Sequence, residues 1–179
     1  IVKKPMSNNL YYIFTVDGIS GNAGGLNYSV VDMNLDLGLG DITADKNILL
    51  FADACEKVTA IKHQNGVDFW IVAPQHTTNT YYSYLLTSVG LSSAPVLNNV
   101  GSITDDAGYL KASPDGTKII AANTWGSSAS FLFETENLGT SITLVSTTPV
   151  PTSLFGSCPA SLVFCWTDPV MRCLAVALV

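Results

Sequence analysis

Apolar residues along this chain come in short runs, and the runs are broken by Gly, Pro, Asn and Asp rather than by charged stripes at helical spacing. Residues 109–124, YLKASPDGTKIIAANT, set a Pro-Asp-Gly turn between two such runs, and residues 58–73, VTAIKHQNGVDFWIVA, repeat the arrangement. Aligning Asn65-Gly66 with Asp115-Gly116 gives an offset of 50 residues and sets Phe69, Trp70 and Ile71 against Ile119, Ile120 and Ala121. Asn-Gly and Asp-Gly are strong hairpin signals because they supply the positive φ angles that match strand twist. A third copy, IVKKPMSNNLYYIFTV at residues 1–16, puts Pro5 opposite Pro114 and the run Leu10 to Val16 opposite the strand beginning at Ile119. Its turn lacks glycine, so Asn8-Asn9 are expected to take up the left-handed conformations.

Two further strand-like runs follow each hairpin: NYSVVDM and NILLFA in the first unit, YYSYLLTS and APVLNNV in the second, SFLFET and SITLVST in the third. Four antiparallel strands recurring at this period predict an all-β chain of β-propeller blades, since a blade is one such sheet packed on its neighbours. The alternative is a twelve-stranded sandwich, which has no need of internal periodicity. Three blades do not close a ring of the usual size. The expectation is a partial propeller over residues 1–150, with blades at about 1–54, 55–100 and 101–150 and two faces left bare at the ends of the arc.

Composition supports this reading. The chain is 47% hydrophobic and only 12% charged, and few charges mean few solvated helical faces, whereas sheets cover themselves with Thr, Ser, Asn and Tyr. A net charge of −6 with eight Lys and Arg excludes a nucleic-acid backbone as partner, which needs clustered cations. No apolar run of about 20 residues predicts a membrane span. The chain opens on Ile1 inside a predicted strand, so the remaining blades of a longer protein are expected as its partners.

The wording of YYIFTVDG, LNYSVVDMNLDLGLGDI, EKVTAIKHQNGVDFWIVAPQ, YYSYLLTSVGL and GYLKASPDGTKIIAANT resembles the N-terminal propeller regions of large secreted and cell-surface proteins of Bacteroidetes. Those proteins typically end in a gliding-motility-associated, type B sorting domain read by the type IX secretion system. The resemblance covers roughly residues 1 to 150, and its SPDG hairpin is shared with WD40-like and TolB-like propellers at large. It implies export, surface display and a role in binding or adhesion, and it supplies no catalytic residue to carry over. Residues 151–179 depart from the pattern: after Pro151 only Asp168 and Arg172 are charged, and Cys158, Cys165 and Cys173 crowd together. Two readings stand for this stretch, a divergent fourth blade or a tail left by a broken reading frame.

Candidate chemistry is sparse. Asp32, Asn34, Asp36 and Asp41 in DMNLDLGLGD alternate as in a calcium loop, but the sixth and twelfth positions are Leu37 and Thr43 rather than Gly and Glu. The stretch reads better as a solvent face followed by a glycine-rich loop. His63 and His76 lack a third ligand nearby, and the four cysteines lack zinc-site spacing. No metal or other cofactor is expected. TWGSSAS and LFGSCPAS lack the nucleophile elbow, and LGLGDI lacks the dinucleotide fingerprint. Strand aromatics such as Tyr12, Phe14, Trp70 and Tyr82 are expected to pack between blades. Trp125, in a predicted loop, is the candidate binding residue for a sugar or protein surface. A propeller enzyme would bring acid, base or nucleophile from innermost strands to the axial channel. Whether the first or the second runs are innermost is open, and their polar members are chiefly Lys3, Lys4, Thr59, Lys62, His63 and Lys111. The expected function is a non-catalytic binding or adhesion module contacting protein or glycan, with a carbohydrate- or lactone-directed hydrolase or lyase as the alternative.

Overall fold

The computed structural model describes residues 1–18, 24–104, 107–123, 130–139 and 141–150. Trp125, the three late cysteines and the whole of 151–179 lie outside the described residues. The described chain is all-β. Its strands are β1 (Val2–Lys3), β2 (Leu10–Val16), β3 (Leu26–Asp32), β4 (Asp41–Ile42), β5 (Ile48–Phe51), β6 (Thr59–Lys62), β7 (Phe69–Pro74), β8 (Thr80–Leu86), β9 (Val96–Asn99), β10 (Gly108–Ala112), β11 (Lys118–Asn123), β12 (Ser130–Leu138) and β13 (Ser141–Val150). One short 3-10 turn, Asp36–Gly38, interrupts them.

These strands form three antiparallel meanders, β1-β2-β3-β4 with β5 also on β3, β6-β7-β8-β9, and β10-β11-β12-β13. The first sheet has five strands rather than the four expected, because its fourth rung is split. β4 pairs with Val31 and Asp32 while β5 pairs with Leu26 to Tyr28. Between them the chain bows out through Asn47, whose φ of +52° breaks strand geometry, and Val30 spans the gap with bonds to Thr43 and Asp45. A two-residue strand carries no hydrophobic alternation, which is why Asp41–Ile42 is invisible to pattern reading.

Alternation in β7 explains how the sheets stack. Ile71 and Ala73 point to one face, where with Tyr84 and Leu86 they join Val2, Tyr12, Leu26 and Val30 of the first sheet. Trp70 and Val72 point to the other face, where with Ile61 and Tyr81 they meet Leu110, Ile119, Ala121, Phe133, Ile142 and Leu144 of the third sheet. The middle sheet is therefore apolar on both faces, and β7 reads as an unbroken apolar run. Rings fill the gaps as expected: Phe51 stacks on Tyr82 at 4.0 Å between centroids, and Tyr81 meets Phe133 edge-on at 5.2 Å. Three layers in series are blades of a partial propeller, and the two-layer sandwich is set aside. β1, β6 and β10 all contribute to a single cleft of about 280 Å³, which Phe14 of β2 and Ile71 of β7 also line.

Candidate functional site: a groove at the hairpin tips

The turn of the third sheet begins with what Ser113-Pro114-Asp115-Gly116 dictate. Pro114 presets its own φ and Gly116 adopts a φ of +72°. The Asp115 carboxylate then accepts from Ser113 Oγ (2.6 Å), Thr117 Oγ1 (2.9 Å) and Thr117 N–H (3.0 Å). These bonds, the Ser113 hydroxyl foremost, hold the carboxyl below the usual carboxylate range. The second sheet builds the same loop from other residues. Gly66 has a φ of +73°, and Asn65 Oδ1 accepts from the N–H groups of Val67 (2.9 Å) and Asp68 (3.0 Å). Ser113 N–H donates to Lys118 O in one turn, and His63 N–H donates to Asp68 O in the other, so the 50-residue offset holds at the level of single hydrogen bonds.

The first turn departs from expectation. Among its non-glycine residues the positive φ falls on Met6, at +58°, not on Asn8-Asn9. Lys4 O accepts from Ser7 N–H at 3.1 Å, so Pro5 and Met6 are the central residues of a type II turn, which requires positive φ after the proline.

Stacking places the second and third turns side by side with the end of the β12–β13 hairpin. Trp70 Nε1–H donates to Asn137 Oδ1 (2.7 Å), and Asn137 Nδ2–H donates on to Lys62 O (2.8 Å). His63 Nε2–H donates to Gly139 O (2.6 Å), while His63 Nδ1 accepts from Asn65 N–H (3.0 Å). The acceptor at one end and the donor at the other fix the tautomer with the proton on Nε2. Thr135 closes the contact, its N–H donating to Thr117 O (2.8 Å) and its hydroxyl to Gly116 O.

Above these bonds lies a groove of about 660 Å³, whose walls include Lys62, Gln64, Asp115, Glu136 and Asn137. Lys62, Gln64, Asp115 and Glu136 are exposed. Its size falls in the range of ordinary ligand sites. The site is thus one cation, two carboxylates and two carboxamides, held on turns whose backbone is bonded sheet to sheet.

The residues singled out from sequence are dispersed by the structure. Lys62 and His63 border this groove. Thr59 and Lys111 line the smaller cleft of about 280 Å³, alongside Ile1, Val2, Phe14, Val58, Ala60, Ile71 and Leu110. Lys3 and Lys4 reach neither. His76 is half-buried in the β7–β8 connection, its N–H donating to Asp53 O. Asp32 accepts from Asn9 Nδ2 and from Asn34 N–H, and Asp41 from Ile42 N–H, as loop-bracing carboxylates do. Among the described residues no three His, Cys, Asp or Glu side chains gather as a metal would require. Trp125 lies outside the described residues; among the described residues the structure presents the groove. Sequence reading missed Gln64, Asp115, Glu136 and Asn137. The repeat carried the signal for Gln64 and Asp115, because equivalent turns of stacked copies must emerge at the same end; Glu136 and Asn137 had none.

No family model, no curated protein and no solved structure matches this chain. No helix of the described residues is long and apolar enough to cross a membrane.

Proposed function

We propose that this chain is a non-catalytic binding module of an exported, surface-displayed protein, with the hairpin-tip groove as its contact site. The observation that carries the reading is the groove itself: polar side chains converge on about 660 Å³ of open space over turns pinned between two sheets. Loops on a rigid scaffold are where binding concentrates. Export and display rest on the resemblance of residues 1 to 150 to surface proteins of Bacteroidetes.

Two measurements test this. Antibody labelling and protease shaving of intact cells are expected to reach the protein, and protection of the protein until the cells are lysed would remove the surface reading. Incubation with a library of glycans and lactones is expected to yield retention without products. Turnover that is lost on substituting Thr59 and Lys111 would make the chain a hydrolase or lyase instead.

A further inference from the structure

We infer that the groove takes a neutral, polyhydroxylated glycan chain, gripped through its hydroxyl groups and not by ring stacking. This rests on the binding reading above and adds the ligand class. Among the described residues Lys62 is the one lysine of the lining, which also includes the carboxylates of Asp115 and Glu136. That excess of negative charge disfavours phosphate, sulfate and uronate groups, which need cations or converging backbone N–H groups. Among the described residues the lining holds no Trp, Tyr, Phe or Arg, and these are the residues that anchor protein partners. Trp70, whose indole bonds to Asn137 of the lining, is 1% exposed and offers no face to a ligand.

What remains suits hydroxyls. A sugar hydroxyl is donor and acceptor at once, and the groove presents both: carboxylates that only accept, an ammonium that only donates, and a carboxamide that does each. Asp115 keeps one oxygen for a ligand, because the three turn bonds all fall on its Oδ1. The side chains of Gln64 and Glu136 make no hydrogen bond among the described residues, so a ligand displaces only water. About 660 Å³ is room for more than one sugar ring, which fits a stretch of glycan chain.

The test uses the full chain, isotope-labelled, titrated with short neutral oligosaccharides of glucose, mannose, galactose and xylose and with a sulfated oligosaccharide. At least one neutral series is expected to shift the amides of residues 62–67, 115–117 and 135–137, with little dependence on salt. Gln64→Ala and Glu136→Ala, both at exposed positions, are each expected to weaken that binding about tenfold, as loss of a hydrogen bond to a bound hydroxyl does. Lys46→Ala, at the rim of the first sheet, is expected to leave it unchanged. Binding of the sulfated sugar alone, or shifts that map away from these three segments, overturns the glycan assignment. A protein ligand that competes for the same amides overturns it too and leaves the module reading standing. Absence of glycan binding together with absence of surface display removes both.

Discussion

Gly116 stands at a φ of +72° with Lys62 O only 3.0 Å from where a Cβ would be, whereas Gly66, at +73°, has open space around that point. The pair separates two effects that usually come together. Alanine at either position meets the left-handed penalty of about 1–2 kcal/mol, and at Gly116 it must also push the second sheet's turn away. Gly116→Ala is expected to destabilise by about 2–3 kcal/mol and Gly66→Ala by about 1 kcal/mol, read from denaturant midpoints at unchanged slope. Equal losses would mean that the close approach of the two turns contributes nothing. Asp115 makes a pH prediction at the same scale. Its carboxyl is held below the usual range by Ser113 and Thr117, so its contribution is present above the ordinary carboxylate pKa and is lost as pH falls through the lowered folded value. Asp115→Asn is therefore expected to be less stable than the parent at neutral pH, with the gap closing in acid. The group is exposed, so the effect is small and weakens with salt.

Two outer strands, β13 and β5, are each held by a side chain of the middle sheet. Asn98 of β9 donates from Nδ2 to Ile142 O (3.1 Å) and accepts at Oδ1 from Leu144 N–H (3.0 Å), so one carboxamide stands where a further strand's peptide group would pair with β13. Asn98→Ala leaves two buried backbone groups unmet and is expected to cost about 2–4 kcal/mol, with faster hydrogen exchange at Leu144 as the local readout. On the opposite face Tyr84 Oη–H donates to Leu50 O of β5 at 3.1 Å. Burial, helped by Tyr82, pushes the Tyr84 phenol up to about 12. The neutral form is the one the fold stabilises, so this contribution is present below the ordinary phenol value and is lost as pH rises through about 12. Tyr84→Phe is expected to lose about 1 kcal/mol at neutral pH and to show a flatter alkaline limb in a pH–stability titration. Most strands were legible because β2, β7, β8 and β11 are apolar runs bounded by turn residues. The left-handed position at Met6 was not, because Pro5 two residues before Ser7 decides the turn type and the asparagines that follow do not. Nor were the inter-sheet bonds of Asn98 and Asn137, since a carboxamide on a strand carries no mark of which neighbour it will meet.

The middle sheet shares its two faces between both apolar clusters, which makes it the piece on which the other two depend. Trp70, bonded to Asn137 and packed against the third sheet, and Ile71, packed against the first, are adjacent in sequence and opposite in direction. Trp70→Ala is expected to cost about 3–5 kcal/mol and Ile71→Ala about 2–5 kcal/mol, and each is expected to lower one common melting transition. Hydrogen exchange resolving the third sheet's amides from the first's after Trp70→Ala would show instead that the layers unfold separately. The groove depends on the same sheet, because both of its turns and the hairpin end beside them are set by the packing of β7 on the third sheet, and this was legible only as far as the 50-residue offset. A chain of look-alike units invites misassembly, with one copy docking where another belongs. Here the two seams are keyed differently: a tyrosine hydroxyl reaches a strand carbonyl on one side, and an indole meets a carboxamide on the other. A copy placed in the wrong seat would bury an indole N–H or a phenol with nothing to receive it, so the order of the units is enforced by mismatched locks and not only by the length of the chain joining them.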